Sequence, residues 1–269
     1  MSSHQASEVL TALVIGGTGP TGHFIVNGLL GRGYRVAILH SGNHEVAEIP
    51  LSVEHIHTDP YDQNCLTDAL AERRFTLCIA AYGRLRVIAE LMYERCDAFI
   101  SIGGQPCYLG YMNPRIHVPE GLVVPTDEQA ELVSTVEQDE KGYRIVKTER
   151  AVFKALPHAT HFRYPIVYGP YQALPREWCI VKRIIDKRPH IILPDDGLSL
   201  LSMGYAENLA HAILLAVDQP EAARGQIFNC SDSQTLTLRQ MVEVIAEGLA
   251  HQWRIVSMPY ELAKSAKPL

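Results

Sequence analysis

The fold is decided by the stretch Val9-Leu10-Thr11-Ala12-Leu13-Val14-Ile15-Gly16-Gly17-Thr18-Gly19-Pro20-Thr21-Gly22. Val9 to Ile15 is an apolar run rich in β-branched residues, the pattern of a strand buried on both faces. A glycine-rich turn ends it. Phe24 to Leu30 then repeats apolar residues at helical spacing, Gly31-Arg32-Gly33 stops that repeat, and Tyr34 to Leu39 reads as a second strand. Strand, turn, helix and strand within about 30 residues make one βαβ unit.

The alternation continues outward. Val53 to His57, Phe75 to Ala81 and Ala98 to Ile102 read as further strands, separated by helical patterns at Leu66 to Arg73 and Arg84 to Arg95. Regular β/α alternation with continuous apolar strands predicts an α/β fold, a Rossmann-type doubly wound parallel sheet. Residues 103–140 are rich in Gly, Pro and polar side chains, with a short helix expected from Asp127 to Gln138. Tyr143 to Leu156 reads as a helix and His161 to Val167 as a strand. Beyond it, helices are expected around 176–187, 206–217 and Thr237 to Ala250, with a strand at Gln226 to Cys230. The division expected is a nucleotide-binding domain over 9–165 and a small α/β substrate lobe over 166–269, packed as one unit.

Composition narrows the function. The 269 residues carry 24 Lys+Arg against 30 Asp+Glu, a formal charge of -6, with 47% hydrophobic and 20% charged residues. That is globular usage and excludes a disordered tail or a coiled coil. The acidic balance argues against nucleic acid, whose phosphates need clustered Lys and Arg. The six cysteines are scattered, with no C-x-x-C pair, as expected of reduced thiols in a cytoplasmic protein. Met1 to Glu8 shows no apolar signal region, and runs such as Ala210 to Val217 are too short to span a bilayer, so no membrane is expected.

Gly16, Gly19 and Gly22 form G-x-x-G-x-x-G between a strand and a helix. A tight turn there brings backbone N–H groups, including those around Pro20 and Thr21, to a dinucleotide pyrophosphate at a helix N-terminus. The acid that usually reads the ribose 2′-OH after the second strand is missing from Leu39-His40-Ser41-Gly42-Asn43-His44. His40 and Ser41 stand at that position, and Ser41, Asn43 and His44 can donate to a 2′-phosphate, so NADP(H) is favoured over NAD(H). His40 and His44 read equally as solvated loop residues. Asp59, followed by Pro60, reads equally as an acceptor for an adenine amino group or as a helix N-cap, whereas Asp62 reads as a helix N-cap.

Tyr143 and Lys147 lie four residues apart on one face of a helix. The ammonium stabilises phenolate, so the tyrosine can exchange a proton while a nicotinamide moves hydride. With these motifs in place, the chain resembles the short-chain dehydrogenase/reductase superfamily. More narrowly it resembles the extended NAD-dependent epimerase/dehydratase branch. The resemblance is carried by the Gly16–Gly22 turn, Asp59, Ala80-Ala81-Tyr82-Gly83, Tyr143/Lys147, Arg163-Tyr164-Pro165-x-x-Tyr168-Gly169-Pro170, Met203 to Ala210 and Gly225 to Asn229. It implies that Ala80, Ala81, Tyr82, Lys147, Tyr164, Pro165 and Val167 line the cofactor, and that Gln105 and Tyr168 face a small-molecule substrate; Tyr108 reads equally as a substrate-pocket wall or as cover for the core. It also implies a homodimer. The activity implied is an NAD(P)-dependent oxidoreductase working on a carbonyl or hydroxyl. The alternatives are an epimerase, dehydratase or lyase without net redox change, and a cofactor-binding regulatory protein. The segment order is also similar to a divergent group containing RNA-binding relatives, against which the acidic charge counts.

One departure stands out. The family places a Ser or Thr just after the fifth strand, where this chain has Ile102, Gly103 and Gly104. Ser101, one to three positions early, Gln105 or a substrate group is the candidate substitute; otherwise the enzyme is a weak or repurposed one. Losing such a donor typically costs about 2.7–4 kcal/mol of transition-state stabilisation. His55-x-His57 and His158-x-x-His161 lack a Cys or carboxylate at fitting spacing, so no metal site is expected. Cys107 reads as a pocket-wall thiol.

Overall fold

A computed structural model describes residues 9–81, 83–172 and 174–266. The chain divides into two compact units, residues 9–165 with 206–230, and residues 166–205 with 231–266.

The first unit is built on β1 (Thr11–Ile15), flanked by β2 (Arg35–His40) and β4 (Phe75–Ala80). Ala12, Leu13, Val14 and Ile15 are fully buried, as are Ile38, Leu39, Cys78 and Ile79. A strand with apolar side chains on both faces can only sit inside a sheet covered on both sides. β3 (Glu54–His57) lies beyond β2, and β5 (Cys96–Gly104) and β6 (Thr160–Tyr164) beyond β4. The strand Ile227–Asn229 closes the other edge, giving seven parallel strands in the order 227–229, β6, β5, β4, β1, β2, β3. The order reverses between β1 and β4, and such a reversal opens a crevice beyond the carboxyl ends of the strands. Ile15 is level with Leu39 on one side and Ala80 on the other.

The helices are α1 (Gly22–Gly31), α2 (Gln63–Leu70), α3 (Leu85–Met92) and α4 (Glu140–Ala155). Asp62 caps α2, accepting from the Cys65 N–H, as its sequence position predicts. Asp139 caps α4 through the Gly142 N–H.

The helix Ala206–Asp218 belongs to the first unit, although the sequence division assigns it to the second lobe. The reason is packing. Its Leu209, Ile213 and Leu214 are buried, and Leu214 meets α1 so closely that a Cβ on Gly28 would stand 2.3 Å from Leu214 Cδ1. Arg32 adds a bidentate pair to Asp218, both contacts at 2.6 Å. The predicted helix over Asp127 to Gln138 is not formed. Turns lie there instead, because the backbone pairs elsewhere: Leu109 N–H donates to the Glu131 carbonyl and Val133 N–H to that of Cys107.

The strand expected over His161 to Val167 breaks at Pro165, and Ile166–Tyr168 pairs in parallel with Met203–Tyr205 in the second unit. There, His190–Pro194 pairs with Arg254–Met258, and the helices Trp178–Ile185 and Leu238–Gly248 bury Ile180, Ile184, Met241 and Val242 with Ile191 and Leu193. Thr237 and Gln240 form a capping box at the start of the latter helix. Among the described residues no helix is long and apolar enough to cross a membrane.

Candidate functional site

The three glycines of the β1–α1 turn are required for different reasons. Gly16 has φ +90°, a region that L side chains rarely adopt, and its N–H donates to the Leu39 carbonyl. Gly22 is fixed by contact, since a Cβ there would stand 2.1 Å from the Gly17 carbonyl oxygen. Gly19 is constrained by neither. Its φ is ordinary and a Cβ would meet only the Gly16 carbonyl oxygen, at 3.4 Å. A glycine that the protein's own packing does not demand, at the turn opening α1 by the switch point, leaves space for a ligand to approach the backbone. The turn therefore fits a dinucleotide pyrophosphate. Thr21 is buried and Pro20 half-buried beside it.

The neighbouring loops converge on the same strand ends. Ala80 is buried, and the Ala81 N–H donates to the Ile15 carbonyl. Tyr82 lies outside the described residues. Pro60 is buried, with its carbonyl accepting from the Arg84 N–H, and exposed Asp59 accepts from the Tyr61 N–H at 2.8 Å. Ser41 is exposed. His40, read as a possible solvated loop residue, is instead 4% exposed at the end of β2. Burial pushes its pKa below the usual histidine value, Glu45 opposes that, and His57 and His55 add to the lowering.

Tyr143 and Lys147 lie one turn apart on α4, Tyr143 half-buried and Lys147 exposed. Tyr143 packs against the cluster of Cys107, Tyr108, Leu109, Val133 and Val146. Gly142 lets α4 approach this closely, since a Cβ there would stand 2.6 Å from both the Pro106 carbonyl and Val133 Cγ2. Burial pushes the Cys107 thiol up to about 12, consistent with an inert wall residue. The loop around 109–131 forms a cavity of about 440 Å³, and its walls Leu109, Leu122 and Ala130 belong to or pack on the cluster that receives Tyr143.

Beneath α4 lies a buried polar network that sequence reasoning missed. Glu149 is 4% exposed and accepts from Arg163 Nη2 at 2.7 Å and Nε at 2.9 Å. Burial raises its pKa, but His161 and Arg163 outweigh that and hold the carboxyl at about 2. Arg163 Nη1 also donates to Tyr108 Oη at 2.7 Å, and Tyr108 donates to Asn229 Oδ1 at 2.8 Å. His161 Nε2 is 3.3 Å from Glu149, at ion-pair distance but not aligned for a hydrogen bond. Its Nδ1 is 2.7 Å from Ser101 Oγ.

This network changes the roles expected for three residues. Ser101 is fully buried with its hydroxyl held by His161, so it does not stand free beside Tyr143. Tyr108 is a core tyrosine with both bonding directions of its hydroxyl used, which argues against a substrate contact. Gln105 is buried and donates to the Cys230 carbonyl at 2.9 Å. Tyr164 is buried, with its hydroxyl 3.3 Å from the Leu209 carbonyl and its pKa raised by that burial; Pro165 is half-buried. In the second unit, Val167 is half-buried and Tyr168 donates to Asp232 at 2.8 Å, with burial and then that carboxylate pushing the phenol up to about 12.

Comparison with solved structures settles which architecture this is. Residues of this chain superpose on a UDP-glucose 4-epimerase from Thermotoga maritima, determined with UDP-glucose, over 93% of this chain and 86% of that one, with a TM-score of 0.74 at 18% identity. The fold is that of the NAD-dependent epimerases and dehydratases. A dTDP-glucose 4,6-dehydratase from Bacillus anthracis, determined with NAD, shares the epimerase/dehydratase fold at a TM-score of 0.71 and 16% identity, over 93% and 85% of the two chains. In sequence, the chain is 31% identical to UDP-D-apiose/UDP-D-xylose synthase 2 of Arabidopsis thaliana over 84 residues, 31% of this chain and 22% of that protein. The curated relatives that it matches are covered over at most 31% of their length. No protein-family model matches the chain.

Proposed function

We propose that this protein is an NAD(P)-dependent enzyme of the epimerase/dehydratase kind, acting at a hydroxyl or carbonyl carbon of a small molecule. The observation that carries the reading is the turn at the switch point, where Gly19 keeps a space that the protein's own packing does not use. The architecture shared with the Thermotoga and Bacillus enzymes supports it.

Gly16, Gly19, Gly22 and Thr21 would hold the pyrophosphate, with Asp59 and the His40–Ser41 segment toward the adenosine. The absence of an acid at His40–Ser41 favours NADP(H). A bound nicotinamide dinucleotide would supply the hydride acceptor or donor. Tyr143 takes the proton of the substrate hydroxyl as the carbinol is oxidised, or returns it as the carbonyl is reduced. Lys147, one turn further along α4, would hold the cofactor ribose. A net oxidoreductase and a non-net-redox epimerase or dehydratase share this half-reaction, and differ only in whether the reduced cofactor leaves or is reused. The protein would work as a cytoplasmic homodimer.

A second reading, a cofactor-binding protein of weak activity, is favoured by one observation. The hydroxyl nearest the expected position, Ser101 Oγ, is engaged by His161. Tyr143→Phe separates the two. For an enzyme the variant loses turnover on its substrate while dinucleotide affinity stays within about twofold. Equal activity in Tyr143→Phe and the parent chain refutes the mechanism, and dinucleotide binding without turnover over a panel of sugar nucleotides and small carbonyl compounds favours the second reading.

A further inference from the structure

The most developed cluster outside the proposed catalytic face lies at the edge of the sheet by β2 and β3. The parallel register sets His40 directly beside His57. Strand alternation places His55 on the same face as His57, two residues before it. The loop after β2 then returns Glu45 over all three rings. The donor atoms come together closely: His40 Nε2 to His55 Nδ1 is 3.1 Å, and His55 Nδ1 to Glu45 Oε2 is 3.2 Å. His57 Nε2 to Glu45 Oε1 is also 3.2 Å, and His40 Nε2 to the same oxygen is 3.8 Å. One donor from each of the four residues falls within 4.8 Å of every other.

We propose that His40, Glu45, His55 and His57 form a binding site for a divalent transition-metal ion of the zinc class. Zinc takes imidazole nitrogen and carboxylate oxygen at about 2.0–2.2 Å, and four such ligands at tetrahedral angles lie about 3.3 Å apart. The four separations above, 3.1–3.8 Å, lie around that edge length, and every donor pair falls within 4.8 Å. Three imidazoles with one carboxylate select zinc or its neighbours over magnesium or calcium, which prefer oxygen. The site is also graded in burial, as a closed site on a surface would be. His40 is 4% exposed, whereas His57 and Glu45 are about half exposed and can be reached by the ion.

Zinc binding would rearrange one contact at His40. The Gly42 N–H stands 3.3 Å from His40 Nδ1 and points to its lone pair. Coordination through Nε2 puts the ring proton on Nδ1, so this contact must open. Gly42 has φ +78°, and the freedom of a glycine lets the peptide turn. His40 is shared with the adenosine end of the proposed cofactor site, but metal uptake is measured without nucleotide, so either proposal can fail alone.

The test uses the untagged full chain, stripped with a chelator and titrated with zinc chloride against a chromophoric competitor. One zinc should bind per chain, and cobalt(II) in its place should give the intense visible bands of four-coordination. His55→Ala/His57→Ala should lose at least about a hundredfold in zinc affinity, since removal of a supporting group alone costs 10–100-fold. If that variant fails to fold by circular dichroism, His57→Ala at the exposed position and Glu45→Gln serve instead, each weakening zinc at least about tenfold. Absence of stoichiometric zinc in the parent chain overturns the proposal. So does uptake that is unchanged in the variants, which would locate the metal elsewhere, or weak six-coordinate cobalt bands.

Discussion

Glu149→Gln is the sharpest test of what positions α4 and its Tyr143–Lys147 pair. The carboxylate is 4% exposed and accepts two hydrogen bonds from Arg163, itself 1% exposed. Glutamine keeps the size but turns an amide toward the guanidinium, donor against donor, and leaves the Arg163 charge buried without a counterion. Breaking a buried pair in this way costs about 3–5 kcal/mol. The carboxyl offers an independent figure: it is held at about 2 against an ordinary 4.5, a difference worth about 3 kcal/mol. In a unit of this size each kcal/mol lowers Tm by about 2–4 °C, so the variant should melt about 6–20 °C lower at neutral pH. Thermal and urea unfolding followed by circular dichroism measure this. Adding Arg163→Met should restore part of the loss, because the unpaired charge goes with it. A Glu149→Gln variant that melts within about 2 °C of the parent refutes the argument that this pair locks α4 to β6.

Three further outcomes follow from the same geometry. Because the Glu149 pKa is depressed on folding, its contribution is complete above pH 4.5 and is lost as pH falls toward 2; urea unfolding between pH 6 and 3 should therefore fall more steeply for the parent chain than for Glu149→Gln. Gly22→Ala, whose Cβ meets the Gly17 backbone at 2.1 Å, should cost at least about 2 kcal/mol in thermal unfolding, with Gly19→Ala near the parent value. Gly19→Ala should instead lower dinucleotide affinity about tenfold, and equal affinity by calorimetry would remove Gly19 from the phosphate cradle.

The parallel sheet was legible because its strands are continuous apolar runs. Ala12 to Ile15 and Leu77 to Ala80 are buried on both faces, and the glycines between β1 and α1 mark the turn. The Asp62 cap was legible from its place before a helical pattern. Three features were not, and each depends on partners distant in sequence. The helix Ala206–Asp218 reads as part of the second lobe until Gly28 and Leu214 are seen in contact. The segment around Asp127 to Gln138 has a helical pattern but satisfies its backbone against Cys107 and Leu109. Ser101 reads as a strand residue, yet only the pairing of β5 with β6 sets His161 beside it. The histidine cluster escaped for the same reason. Glu54 and Asp59 flank His55-x-His57 in sequence but do not join the cluster, whereas register brings His40 beside it and a loop brings Glu45.

The proposed seat of a nicotinamide dinucleotide is the β1–α1 turn. It is tested most directly by denaturing the purified chain, identifying any released nucleotide, and titrating the stripped protein with NAD(H) and NADP(H). Saturable binding of one dinucleotide per chain is expected, weakened by Gly19→Ala in a protein of near-parent stability. A folded, stripped chain that releases no dinucleotide and binds neither form contradicts it.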